Sequence, residues 1–142
     1  MNPLQVVVDT NVILSALRSK RGASYRLLQL ISDPRWRMQL SVALLLQYEA
    51  VARREAVPLH ATQKEVDEFI NYLCAASEHR VIHFSWRPQL RDPNDEFVLE
   101  LAVAAGASHI VTFNKIDFHG AERFGINIVE PGQLLRIIGV KI

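Results

Sequence analysis

The stretch Leu4-Gln5-Val6-Val7-Val8-Asp9 decides how this chain of 142 residues is expected to fold. Its nearly continuous apolar character is typical of a short strand buried on both faces, as in parallel sheets. Asp9 follows this strand directly, and a turn alone does not explain an acid there. Ligands of open α/β sheets bind outside the carboxyl ends of the strands, so Asp9 is predicted to lie at a functional edge.

Short β-rich runs alternate with helical runs over the rest of the sequence. Such alternation predicts an α/β fold in which helices cover both faces of a parallel sheet. The remaining strands are predicted at residues 36–40, 80–84, 109–112 and 126–129. Helices are predicted at residues 12–17, 24–32, 42–54, from 63 onward, 93–105 and 131–138.

Several of these helices carry terminal signals. Ser24, Ser41 and Asp92 are good N-caps, and Thr62 opens a capping box with an acid three residues later. A proline after Asp92 suits the first helical position. Gly106 is a natural C-terminal glycine for the helix that starts at residue 93.

Length and composition predict one globular domain over residues 1–142. Apolar residues make up 49% of the chain and charged residues 22%, and no apolar stretch reaches the roughly 18 residues of a membrane helix. The start of the sequence does not have the pattern of a signal peptide. Cys74 is the sole cysteine and cannot form an internal disulfide. A cytoplasmic location is therefore predicted.

Three further acids are predicted to reach the same edge as Asp9. Asp92 and Asp95 open the helix after the strand at 80–84, and Asp117 follows the strand at 109–112. Clustered carboxylates raise one another's pKa unless a cation offsets their charge. Hard oxygen ligands favour Mg²⁺ or Mn²⁺, which can polarise a phosphoryl oxygen and lower the pKa of bound water. The cluster indicates metal-dependent hydrolysis of a phosphodiester.

Each of these residues also has a structural explanation. Capping alone accounts for Asp92, and Asp95 could simply favour the positive end of the helix. Asp117 could be an ordinary loop residue. Basic clusters at residues 18–21 and 53–54 can meet phosphate or remain solvated charge. The joint placement of the acids carries more weight than any one of them.

Three segments at these acids resemble the motifs of PIN-domain ribonucleases, and more narrowly those of relatives of the VapC toxins. They are VDTNVILSAL at residues 8–17, RDPNDEFVLELA at 91–102 and IVTFNKIDF at 110–118. The segment GINIV at 125–129, followed by Pro131, matches the usual close of that domain. Each motif alone is weak, but the likeness covers nearly the whole chain.

The resemblance implies a single PIN-like domain, a three-layer α/β/α sandwich with a parallel sheet of four or five strands. It implies an endoribonuclease that depends on Mg²⁺ or Mn²⁺, cleaves single-stranded RNA and acts as the toxin of a toxin–antitoxin pair. The implied partners are the RNA substrate, a cognate antitoxin protein and a second copy of the chain in a homodimer. No membrane association is implied.

By position, the resemblance makes Asp9, Asp95 and Asp117 the metal ligands, with Asp92 as a further acid of the same motif. Asn11 and Asn114 are implied to orient water or a phosphate oxygen. The polar residues implied to line the pocket are Asn11, Gln47, Thr112 and Asn114.

The sequence departs from the family pattern at one position. The family places a glutamate six residues after the serine of the second motif region, and here Ser41 is followed at that distance by Gln47. Glutamine keeps a carbonyl acceptor but loses the negative charge, so metal affinity should fall. Glu49 lies roughly 200° further around the helix and should point elsewhere, unless the register shifts.

Two other functions compete with an active nuclease. A catalytically weakened PIN fold that binds RNA or a partner protein would explain Gln47. A phosphatase of the haloacid-dehalogenase type also begins with an acid after its first strand. That chemistry needs a second aspartate two residues later, where this chain has Asn11.

Overall fold

A computed structural model describes residues 2–82 and 93–141 of the chain. Its strands are all parallel and form one sheet in the order β3-β2-β1-β4-β5. The strands are β1 (Leu4–Val8), β2 (Trp36–Leu40), β3 (Glu78–His79), β4 (His109–Val111) and β5 (Asn127–Val129). Within the described ranges the sheet has five strands, in agreement with the four or five that the resemblance implied.

Helices cover the sheet in a three-layer α/β/α arrangement, and α5 packs directly on β1, β2 and β4. Two short 3-10 helices, Lys115–Phe118 and Ala121–Phe124, lie between β4 and β5. The α-helices are α1 (Thr10–Arg18), α2 (Ala23–Gln29), α3 (Val42–Ala56), α4 (Gln63–Ala76), α5 (Pro93–Ala104) and α6 (Pro131–Ile137). None of the helices in the described ranges is long and apolar enough to cross a lipid bilayer.

The strand order creates a switch point between β1 and β4. From β1 the chain moves outward through β2 to β3, and then returns to place β4 on the opposite side of β1. At such a point the connections leave the two central strands in opposite directions and open a crevice outside their carboxyl ends. Asp9 and Thr112 follow β1 and β4, so both border this crevice.

Most predicted helix ends are confirmed. The Ser41 hydroxyl accepts a hydrogen bond from the Leu44 amide at 3.2 Å. Thr62 and Glu65 form the predicted capping box at the start of α4. Gly106, at φ +64°, ends α5 in a left-handed conformation that glycine adopts without steric cost.

Two local predictions were wrong. Gly22, rather than Ser24, is the N-cap of α2. Ser24 lies within the first turn of the helix, and its side chain is buried. The third strand occupies Glu78–His79 instead of residues 80–84, because it pairs with Gln39 and Leu40 near the end of β2. Arg80 to Ile82 are not part of a strand, and residues 83 and 84 lie outside the described ranges.

Candidate active site at the β1–β4 switch point

The register of β1 and β4 places Asp9 beside Thr112. Val8 pairs with Val111 in the parallel ladder, and the Asp9 amide donates to the Val111 carbonyl at 2.9 Å. The next residue of each strand is therefore Asp9 on one side and Thr112 on the other. The Thr112 amide continues the ladder by donating to the Val129 carbonyl at 2.9 Å. Sheet pairing alone brings together two side chains far apart in sequence.

The Asp9 carboxylate is held at both oxygens. Its Oδ1 accepts from the Thr10 amide at 2.8 Å, and its Oδ2 accepts from the Thr112 hydroxyl at 2.8 Å. Asp9 is 7% exposed and Thr112 is fully buried. Both donors orient the carboxylate, and neither of these two groups carries a charge. This is how a protein orients a ligand for a cation.

Asn11 and Asn114 extend this network around Thr112. The Asn11 amide nitrogen donates to the Thr112 hydroxyl at 3.3 Å, and the Asn114 backbone amide donates to the same oxygen at 3.0 Å. The Asn11 side-chain oxygen accepts from the Phe113 amide at 3.4 Å. The loop after β4 is thereby tied to the first turn of α1, and three of the predicted pocket residues meet here.

Gln47 joins the same edge from α3. Its side-chain oxygen accepts from the Thr10 hydroxyl at 3.1 Å. Glu49 Oε1 lies 3.5 Å from the Arg53 guanidinium one turn along, and its side chain is 40% exposed. A register shift that brings Glu49 toward Asp9 is therefore not what the structure shows. The amide of Gln47 stands where the family pattern places a carboxylate.

Tyr48 lies beneath the site and was predicted only as an apolar helix position. It is fully buried, and its hydroxyl donates to the Val8 carbonyl, one residue before Asp9. Burial, with the charge of Asp9 as a second cause, holds the pKa of Tyr48 well above its ordinary value. The phenol therefore stays protonated and remains a donor at any physiological pH.

The other predicted acids lie on elements that flank this edge. Asp95 is in the first turn of α5 and is partly exposed, while Asp117 is exposed on the first 3-10 helix. That 3-10 helix packs against α5. Asp92 lies outside the described residues. Within residues 2–82 and 93–141, no three Asp, Glu, His or Cys side chains are gathered closely enough to form a metal site by themselves.

The chemistry of the donors fits a hard divalent cation. The network offers the Asp9 carboxylate, the amide oxygens of Asn11 and Gln47 and the hydroxyls of Thr10 and Thr112. Oxygen donors of this kind suit Mg²⁺ or Mn²⁺, and Mg²⁺ keeps several waters when one or two carboxylates hold it. The metal roles of Asp9, Asp95 and Asp117 stay predictions.

The basic clusters are largely engaged with acids. Arg18 pairs with Glu55 at 3.2 Å, and Arg53 pairs with Asp67 at 2.8 Å. These contacts favour the interpretation of both clusters as compensated surface charge. Lys115 lies three residues after Thr112 in the sequence. Its ammonium is 3.8 Å from the Glu130 carboxylate, and 42% of its side chain is exposed.

The chain matches one known protein family over most of its length. The profile of the PIN domain matches residues 5–116, which is most of the sequence and includes Asp9, Gln47 and Asp95. The chain belongs to the PIN-domain family. No protein of curated function matches this PIN domain closely enough to count as a relative.

Solved structures share the fold of this PIN domain. A chain in the crystal structure of VapBC2 from Rickettsia felis, bound to a DNA fragment from their promoter, superposes with a TM-score of 0.60 at 15% identity. That match covers 89% of this chain and 98% of the other. A PilT N-terminus domain protein from the hyperthermophilic archaeon Sulfolobus solfataricus superposes with a TM-score of 0.55 at 13% identity, over 98% and 97% of the two chains.

Sequence reasoning missed three polar residues of this region. Thr10 links Asp9 to Gln47, Tyr48 binds the end of β1, and Glu96 is a buried acid in the first turn of α5 with 7% exposure. A tyrosine at a core position of a helix is a usable signal, because its buried hydroxyl needs a partner. The role of Thr10 depends on the packing of α3 against α1 and has no comparable signal.

Proposed function

We propose that this PIN domain is a divalent-metal-dependent endoribonuclease that hydrolyses single-stranded RNA and serves as the toxin of a toxin–antitoxin pair. The observation that carries the proposal is the Asp9 carboxylate, nearly buried at the switch point and aimed by Thr10 and Thr112. A buried carboxylate whose two oxygens are oriented by hydrogen bonds is suited to hold a cation over a phosphate.

Asp9, Asp95 and Asp117 are the proposed metal ligands, and Asp92 is proposed as a further acid of the site. Mg²⁺ or Mn²⁺ would polarise a phosphoryl oxygen and supply a water of lowered pKa. Asn11 and Asn114 have amide groups beside Thr112 that can orient a water or a phosphate oxygen. Thr112 holds Asp9 Oδ2 with its hydroxyl proton, which keeps the carboxylate from rotating.

The proposed partners follow from the family and from one structural neighbour. The Rickettsia felis structure contains VapBC2 with a promoter DNA fragment, so that fold neighbour acts in a toxin–antitoxin complex. By analogy, we propose a cognate antitoxin for this chain and a homodimer as its assembled form. The analogy is one of fold, since the identity is 15%.

The decisive experiment is a metal titration of the purified protein on a fluorescently labelled single-stranded RNA. Cleavage should require Mg²⁺ or Mn²⁺, and Asp9→Asn should reduce its rate by at least about 100-fold, because the anionic ligand is lost. Asp33→Asn is the matched control, since it makes the same change at the other end of the sheet. A folded protein that cleaves no RNA with any divalent metal would contradict the proposal.

A catalytically weakened binding module is the second candidate. The contact that favours it is the one between Gln47 and Thr10, because it fixes a neutral amide where the family pattern has a carboxylate. Glu49 is held by Arg53 and does not replace the missing charge. Such a protein would bind RNA or a partner on the same surface without hydrolysing it.

Restoring the carboxylate separates the two candidates. If the natural protein is weakened by Gln47, then Gln47→Glu should raise Mn²⁺ affinity and cleavage rate by about 10- to 100-fold, since a second anion joins Asp9. Gln29→Glu adds the same charge at an exposed helix position and serves as the control. An unchanged rate in an already active parent would show that the glutamine is compatible with catalysis.

A further inference from the structure

An exposed aromatic residue follows the site directly in the chain. Phe113 follows Thr112, the residue that holds Asp9, and it is 44% exposed. The residue before Thr112 in the chain, Val111, is fully buried in the sheet. Phe113 is therefore the first residue after β4 to leave the core, and it directly follows the residue whose hydroxyl binds the Asp9 carboxylate.

The backbone that carries the ring is fixed on both sides. The Phe113 amide donates to Asn11 Oδ1 at 3.4 Å. Before it, the Thr112 amide is bonded to Val129 at 2.9 Å, and after it, the Asn114 amide is bonded to the Thr112 hydroxyl at 3.0 Å. A phenyl side chain has two rotatable bonds, so little conformational entropy remains to be lost when a ligand covers it.

We propose that Phe113 is a base-stacking residue, which takes a nucleobase of a single-stranded substrate against its ring beside the Asp9 site. The inference rests on the proposed function and deepens it. Every base has a π-face, so one aromatic platform recognises an unpaired strand without demanding a sequence. A duplex offers no free base face at that position, which gives Phe113 a selective role for single strands.

The surroundings of Phe113 favour a nucleic acid over an apolar protein segment. Polar Asn114 and basic Lys115 follow it, and the Lys115 ammonium lies 3.8 Å from Glu130 with much of its side chain in solvent. A cation two residues from a ring suits a phosphate beside a stacked base. Ile116, at 85% exposure, is the more accessible apolar residue of the loop, so a protein contact would depend on it at least as strongly.

The test measures binding of a short single-stranded RNA containing 2-aminopurine, in EDTA so that no cleavage occurs. Stacking quenches the fluorescence of this base, and anisotropy of an end label gives the Kd. Phe113→Ala should raise the Kd by about 5- to 100-fold and abolish the quenching. Phe113→Tyr should keep both properties, while Phe113→Leu should lose the quenching, because it keeps apolar volume without a ring.

Two controls make the result specific. Ile116→Ala should bind RNA as the parent does, and an abasic strand of equal length should bind the parent and Phe113→Ala alike. Equal Kd values for the parent and Phe113→Ala on normal RNA would overturn the stacking role and leave the nuclease proposal standing. A larger increase of the Kd for RNA in Ile116→Ala than in Phe113→Ala would also overturn the stacking role, because the loop would then bind RNA mainly through the aliphatic side chain. A parent that neither binds nor cleaves RNA would remove both proposals.

Discussion

Two aspartates at opposite ends of the sheet are held in contrasting ways. Asp9 follows β1 and receives hydrogen bonds from a backbone amide and a hydroxyl, both neutral. Asp33 precedes β2 and receives its hydrogen bonds from Arg35, whose guanidinium binds both carboxylate oxygens at 2.8 and 2.9 Å. Arg35 also donates to the Ile138 carbonyl at 2.8 Å, which ties the end of α6 to this turn.

The difference lies in the donors, because a guanidinium holds Asp33 while a backbone amide and a hydroxyl orient Asp9. The Arg35 guanidinium lowers the pKa of Asp33 to about 2, so this charge is already matched within the turn. The Thr10 amide and the Thr112 hydroxyl fix the direction of the Asp9 carboxylate. Metal and substrate sites in general depend on such hydrogen bonds to orient their side chains.

Among variants that leave Asp9 in place, removal of the hydroxyl that orients it should cause the largest loss of activity. Thr112→Val keeps the shape of the side chain but deletes the donor to Asp9 Oδ2. We expect the cleavage rate to fall by about 10- to 100-fold and the stability by about 1–3 kcal/mol, since the Asn114 amide also loses its acceptor. Rates on labelled RNA and urea unfolding measure the two effects.

Ser108→Ala is the matched control, because Ser108 is a partly buried hydroxyl at the amino end of β4. It should alter stability at most and leave cleavage unchanged. Equal losses of activity in the two variants would mean that the sheet edge as a whole, and not the aim of Asp9, limits the reaction.

Tyr48→Phe should have an intermediate effect, confined mainly to stability. The fully buried hydroxyl donates to the Val8 carbonyl, and its loss should cost about 1–2 kcal/mol in the free energy of unfolding. Tyr72→Phe is the natural comparison, because that hydroxyl donates to the Leu28 carbonyl at 2.6 Å from a residue 42% exposed. A larger loss of stability in Tyr72→Phe than in Tyr48→Phe would contradict the expectation that the more deeply buried hydroxyl contributes more.

Asp33→Asn should have the smallest effect on stability, and only at pH values at which the Asp33 carboxylate is ionised. The folded pKa of Asp33 is lowered to about 2, so the ionised carboxylate stabilises the fold fully above the unfolded pKa of roughly 4. This contribution is lost as the pH falls through 2. Thermal melts from pH 7 downward should show a slightly less stable variant near neutrality and converging curves in acid. A constant difference across that range would rule out the ion pair as its source.

The sequence predicted those parts of the fold that local patterns encode. The apolar run before Asp9, the capping box at Thr62 and the serine cap at Ser41 each act within a few residues. Ser24 is not the cap because α2 begins at Ala23. Gly22 takes the extended conformation of the N-cap, and Ser24 already lies inside the helix. The third strand was placed two residues late, since its position depends on pairing with β2.

Two residues of the candidate site, Asp9 and Gln47, could be named from the sequence, and the structure links them through Thr10. Asp9 and Gln47 followed from position in the sequence and from resemblance. The hydroxyl bridge from Thr112 and the contact between Thr10 and Gln47 depend on the β1–β4 register and on helix packing, which no local pattern encodes. Asp95 and Asp117 remain predictions whose test is metal binding.

The pairing of Asp9 with Thr112 also has a consequence for synthesis of the protein. The two residues are 103 positions apart, and the Thr112 amide is itself bonded to Val129 in β5. A nascent chain that has emerged from the ribosome only as far as α4 contains Asp9 but not Thr112, the donor to its Oδ2. Assembly of this edge must wait until β4 and β5 are available, so a partly translated chain has not yet assembled the edge proposed to cleave RNA.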